Sequence, residues 1–141
     1  MRLMADEFKI IVITAESPVK GECEAITRLL RAGVDRIHIR KPEVGEMYVD
    51  KLLSGIPSDF MSRISLHDYP GLAVKYGTGF HTGRRTSVIP NVKPLSRSCH
   101  SLSEVAASST FDYVTLSPVY DSISKHGYSA NHSFDRFNAT T

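Results

Sequence analysis

Six short apolar or β-branched runs recur along this chain, and most of the segments between them carry apolar residues at helical spacing. The runs cover residues 9–14 (KIIVIT), 36–40 (RIHIR), 63–67 (RISLH), 79–82 (GFHT), 95–99 (LSRSC) and 113–116 (YVTL). Ala25, Ile26, Leu29 and Leu30 predict a first helix, with Gly33 placed for its C-terminal cap. Met47, Val49, Leu52 and Leu53 predict a second over 44–56, and Pro70 opens a third over 70–76. A further helix is expected over 102–107, with Ser101 as N-cap and Glu104 three residues on. Strand and helix in alternation, joined by short connections, build a parallel sheet with right-handed crossovers. The first run is almost all β-branched, the pattern of a strand buried on both faces.

Two architectures satisfy that pattern, an open doubly wound sheet and a (β/α)8 barrel. No GxGxxG or P-loop follows the first run, so the nucleotide-binding open sheet lacks its usual support. Polar residues instead close strand after strand: Arg40, His67 with Asp68, His81, Ser98 with His100, and Ser117. Barrels assemble their sites from the C-terminal ends of many strands. The expected fold is therefore α/β, of the TIM (β/α)8-barrel type. About six βα units are counted before the periodicity stops at residue 131, short of the barrel's full set. This reads as a single domain over 1–141 truncated after its sixth unit, with 131–141 (NHSFDRFNATT) as a divergent, frame-shifted tail.

Composition limits the partners. The 17 basic and 15 acidic residues leave a net charge of +2, too balanced for a nucleic-acid or anionic-membrane surface. No run reaches the roughly 20 apolar residues of a membrane span, and the opening MRLMADEF with its short apolar sequel is no secretory leader. Cys23 and Cys99 are too few for a disulfide framework, so free thiols in a cytoplasmic setting are expected. Nothing in the sequence sets the oligomeric state.

Several residues carry chemistry. Arg40 and Lys41 are adjacent cations at a strand mouth, suited to clamping a phosphate or forming a solvated basic edge. Asp68 is either an Mg²⁺ ligand or the cap of the third helix. His38, His67, His81 and His100 fall on or just after successive strands, which raises an imidazole-bound metal site and, with it, a metal-dependent hydrolase. His100 suits a general base. Cys99 alternates to the other face from its neighbours and reads as packing. Ser122, Ser124 and Lys125 offer hydroxyl and ammonium donors for a diphosphate.

Taken in order, IHIRKP, ISLHD, GFHTGRR, SCHSLSEVAA and DYVTLSPVYDSISKHGY resemble the thiamine phosphate synthase / TenI family over residues 9–130. The resemblance implies a (β/α)8 barrel that joins a pyrimidine pyrophosphate to a thiazole phosphate, with Mg²⁺ and release of pyrophosphate. It places Arg40, Lys41, His67, Ser98, Ser122, Ser124 and Lys125 on the substrate or diphosphate, and Asp68 on the metal. The chain departs from the family pattern at several places, one of them Pro42, which stands where a lysine is expected, with Lys41 one place early. His38 stands for a glutamine, His67 for an asparagine, and Gly83-Arg84-Arg85-Thr86 supplies no second acid for Mg²⁺. These departures lean toward the TenI branch, a metal-independent thiazole tautomerase whose proton shuttle would be His100, with Arg84 and Arg85 helping to grip phosphate. An inactive, truncated family member is the non-enzymatic alternative.

Overall fold

The structure, a computed structural model, describes residues 8–118 and 120. The elements run β1 (Ile11–Ile13), α1 (Glu22–Arg31), β2 (Arg36–Ile39), α2 (Glu46–Ser54), a 3₁₀ turn (Ser58–Arg63), β3 (Ile64–Leu66), α3 (Pro70–Tyr76), β4 (Gly79–Thr82), β5 (Leu95–Cys99), α4 (Leu102–Ala106) and β6 (Tyr113–Leu116). The six strands among the described residues are all parallel and lie in sequence order. A doubly wound sheet would reverse its order at a switch point. Sequential order means that each crossover advances the wall by one strand, the winding of a barrel. Of the two architectures left open by the sequence, the molecule takes the second, as a partial barrel.

The two sides of this wall differ in chemistry. Ile37, Ile39, Ile64, Leu66 and Phe80 are buried in one cluster with Ile26 and Leu30 of α1, Val49, Leu52 and Leu53 of α2, and Leu72 and Ala73 of α3. That is the helix-covered side, and it holds the apolar core. The alternate strand positions are polar: His38, Ser65, His81 and Ser96 are all buried on or near the other side. A barrel lumen is ordinarily packed with branched apolar chains, so this polar lining is a departure that needs an account.

Register at the N-terminal ends of the strands is set by one device used twice. Asp35 donates its N–H to the Ile10 carbonyl and accepts the Ile10 N–H on Oδ2 at 2.7 Å. Asp112 does the same with Leu95, again at 2.7 Å. Each aspartate therefore closes a two-bond ring between neighbouring strands, β1 with β2 and β5 with β6.

Three local expectations are corrected. β1 is not buried on both faces: Ile11 and Ile13 are 41% and 53% exposed, and among the described residues β1 is an edge strand paired only with β2. On α1, Leu29 turns outward, and the buried stripe is Glu22, Ile26, Thr27 and Leu30. Gly33 does close the helix as expected: it follows Ala32 with φ +104° and donates to Leu30 O, while Val34 donates to Leu29 O. The 3₁₀ turn ahead of β3 has no counterpart in the sequence reading, since its Ser58–Arg63 stretch (SDFMSR) carries no helical apolar period.

Candidate functional site

The side chains singled out in the sequence gather along the polar side of the wall and at its C-terminal mouth. His38 leaves β2, His67 follows β3 by one residue, and His81 sits on β4. Parallel registers put His38 beside Ser65 and His81 beside Ser96, so period-2 alternation aims all three rings the same way. His38 Nδ1 lies 2.8 Å from His67 Nε2, and the His67 and His81 rings stack with centroids 4.3 Å apart. His38 Nε2 meets the Tyr113 hydroxyl at 2.6 Å. The two nitrogens of His81 meet Ser96 Oγ and Ser98 Oγ, both at 2.7 Å. Burial drives all three imidazoles toward the neutral form: the pKa values fall to about 3 for His38, about 2 for His67 and about 4 for His81. The neighbouring His81 ring further disfavours charge on the other two.

At the mouth, Arg40 is partly exposed and pairs through Nη1 with Glu16. Asp68 is largely covered. Its Oδ1 accepts from Arg85 Nη2 at 3.0 Å, and its Oδ2 accepts the Lys41 backbone N–H at 3.2 Å. Asp68 is not the cap of α3: that position belongs to Tyr69, whose backbone has φ +60° and whose hydroxyl donates to the Val44 carbonyl. A non-glycine residue in this left-handed region is uncommon, and the bond to Val44 helps hold it there. His100 Nδ1 lies 3.0 Å from the Ser117 carbonyl, which can only accept. That contact selects the tautomer protonated at Nδ1. The His100 backbone N–H is held by Glu104 Oε2 at 2.7 Å, and Ser101 Oγ caps α4 through the Glu104 N–H at 3.2 Å. The expected capping pair is thus built, with the glutamate reaching one residue further back than in the usual box.

Lys41 is the clear correction among the candidate residues. It is fully buried, and its ammonium donates to Ala15 O (2.7 Å), Ser17 O (2.8 Å) and Glu22 Oε2 (2.7 Å). Three donors meet three acceptors, so Lys41 hangs the β1–α1 loop rather than standing beside Arg40 as a clamp. Tyr48 completes the Glu22 carboxylate by donating to Oε1 at 2.7 Å. β2 ends at Ile39, which frees Lys41 from the alternation that the longer expected strand implied. Cys99 is buried away from this site, near Ser108, and both cysteines are free thiols. Ser122, Ser124 and Lys125 lie outside the described residues.

Of the four strand-end histidines, the structure brings three together, and His100 stands apart among the described residues. The partners that sequence reasoning missed are Tyr113, Ser96, Glu16 and Glu22. Tyr113 and Ser96 could have been found by carrying the parallel register across β4, β5 and β6, since Ser96 aligns with both His81 and Tyr113.

Six parallel strands wound in order, helices packed outside and polar side chains collected at the strand ends define a half-barrel of the TIM type. Its fold is that of the thiamine phosphate synthases. The crystal structure of thiamine phosphate pyrophosphorylase from Bacteroides thetaiotaomicron matches it with a TM-score of 0.74 and 35% sequence identity. The match covers 79% of this chain and 59% of that one. No family model matches the sequence, and no curated protein matches it.

Proposed function

We propose that this chain works in thiamine biosynthesis as a thiamine phosphate synthase-type protein, binding phosphorylated pyrimidine and thiazole substrates at the C-terminal mouth of the half-barrel. The observation that carries this reading is the 35% identity with a thiamine phosphate pyrophosphorylase across most of the chain. Free thiols at Cys23 and Cys99 fit the cytoplasmic setting expected of such chemistry. Among the described residues, no helix is long and apolar enough to cross a membrane.

The chemistry asked of the protein is chiefly to accept charge on a departing diphosphate. Arg40 and Arg85 are the cations for that task, each held at the mouth by a carboxylate, Glu16 and Asp68 respectively. Arg40, parked on the exposed Glu16 carboxylate, can exchange it for a phosphate oxygen at little cost, because surface ion pairs contribute only about 0–1 kcal/mol and charge-assisted bonds to phosphate are strong, whereas Arg85 is held by the largely covered Asp68 and is released less readily. Mg²⁺ is a different matter. Asp68 is the one acid that the family resemblance assigns to it, and both of its oxygens are already engaged. The stretch after β4 offers Arg84 and Arg85 where a second acid would be needed. The described residues do not fit a diphosphate-bound Mg²⁺, and no step is assigned to one.

A second reading, the thiazole tautomerase, is favoured by His100. Its tautomer is set by Ser117 and its backbone is pinned by Glu104, so the imidazole is oriented for proton transfer without a metal. Calorimetry of pyrophosphate binding, with and without Mg²⁺, tests both readings. The synthase reading expects binding that weakens about 10- to 100-fold in Arg40→Ala, the loss of a charged hydrogen-bond donor. Absence of any pyrophosphate or thiazole phosphate binding by the folded chain overturns it. Proton exchange in the thiazole ring that is lost in His100→Ala, with no coupling of the two substrates, selects the tautomerase.

A further inference from the structure

Three imidazoles meet on the polar side of β2, β3 and β4, and neither reading above gives them a task. One ring nitrogen from each of His38, His67 and His81 lies within 4.8 Å of the other two. We propose that these histidines are the ligands of a first-row transition-metal ion of the zinc class, with a fourth position left for water or an exogenous ligand. The proposal is independent of the thiamine reading, and its tests do not depend on enzymatic activity.

The geometry is close to what such an ion needs. Tetrahedral coordination with metal–nitrogen bonds of about 2.0–2.1 Å sets the ligand nitrogens about 3.3 Å apart. His38 Nδ1 and His67 Nε2 now stand 2.8 Å apart and would open by roughly half an ångström. The short contact is itself informative. Two imidazole nitrogens at that distance share one proton, and an ion replaces that proton between the same two lone pairs. With the lone pair on Nδ1, His38 carries its proton on Nε2 and donates it to Tyr113, which is already its ligand form. His67 then binds by moving its proton from Nε2 to Nδ1, with no net proton lost. Whichever nitrogen His81 turns to the ion, the other keeps a serine partner, Ser96 or Ser98. Outer partners of this kind orient metal-bound histidines and are part of the site.

The donor set also selects the ion. Three neutral nitrogens with no carboxylate among them suit zinc, cobalt, nickel or copper and do not suit Mg²⁺ or Ca²⁺. The site is carried by three consecutive strands of one sheet, with His38 on β2 and His81 on β4 both buried and His67 one residue past β3 between them.

The test is titration of the chelator-stripped full chain with Co²⁺, followed by displacement with Zn²⁺. One equivalent should bind, with the strong visible absorption of low-coordinate cobalt, and zinc should abolish that absorption. His67→Asn and His81→Ala should each weaken binding by about 100-fold or more, and Tyr113→Phe by about 10- to 100-fold. Cys23→Ser should leave it unchanged. Absence of stoichiometric binding, or binding that survives both histidine substitutions, overturns the proposal. Should those variants fail to fold, X-ray absorption of the zinc-loaded unsubstituted chain decides. Three imidazole ligands support the site, and sulfur or all-oxygen coordination overturns it.

Discussion

Arg40 and Lys41 are sequence neighbours that end in opposite environments, and the difference is measurable. Lys41 and Glu22 form a buried pair with 0% and 7% side-chain exposure. Removing one partner strands the other's charge, which typically costs about 3–5 kcal/mol. Lys41→Met is therefore expected to lower the unfolding free energy by that amount in a denaturant titration, and a loss below about 1 kcal/mol would count against the buried pair. Alternation could not have found this role, because it depends on where β2 stops and on a partner 19 residues away. The three central histidines make a second prediction. Their folded pKa values, about 3, 2 and 4, lie below the ordinary value of about 6.5. The unfolded chain then takes up protons first as pH falls. Their contribution to stability is complete above pH about 6.5 and is lost below it, by up to about 1.4 kcal/mol per pH unit for each ring. Urea midpoints measured at pH 7.5, 6 and 5 should fall steeply across that series; equal midpoints would refute the burial of neutral rings. Their positions were legible in the sequence as four strand-end histidines. Which three would meet was not, since that required the register between strands.

α4 is only five residues long, so its ends decide whether it forms. Ser101 and Glu104 supply those ends, and the same two residues fix the backbone of His100. Ser101→Ala is expected to cost about 1 kcal/mol and to raise amide exchange at 102–106, readable by NMR. An unchanged exchange pattern would mean that packing, not the cap, holds α4. β4 depends on a glycine for a different reason. A Cβ at Gly79 would lie 2.7 Å from the Pro94 carbonyl oxygen and 2.7 Å from Ser65 Oγ. Gly79→Ala is expected to destabilise the chain by about 1–3 kcal/mol through overpacking, and a thermal melt would show it. Sequence reading recovered the element order and the capping pair well, because both are local. It misjudged β1, because a β-branched run looks the same whether one side or both sides of a strand are covered.

At the scale of the whole molecule, stability is unevenly spread along the wall. β2, β3 and β4 are flanked on both sides and carry the apolar core, whereas among the described residues β1 and β6 each pair with one strand. Hydrogen exchange should follow that order. Amides of Ile37–Ile39 and Ile64–Leu66 are expected to be the last to exchange and those of Ile11–Ile13 among the first; uniform protection across the sheet would contradict the exposure of β1. Alternation left two windings open, and the polar residues that close strand after strand made the barrel readable. The polar lining was not, since hydropathy cannot distinguish a wet strand face from a hydrogen-bonded one. The Asp35 and Asp112 rings add one more consequence. Both pairs of outer strands are stitched at their N-terminal ends, while Arg40, Asp68 and His100 follow the strands at the other end. The sheet is thus bound at its spine like the pages of a book, and the partly exposed arginines at its other edge, Arg40 and Arg85, can be rewritten without loosening that binding.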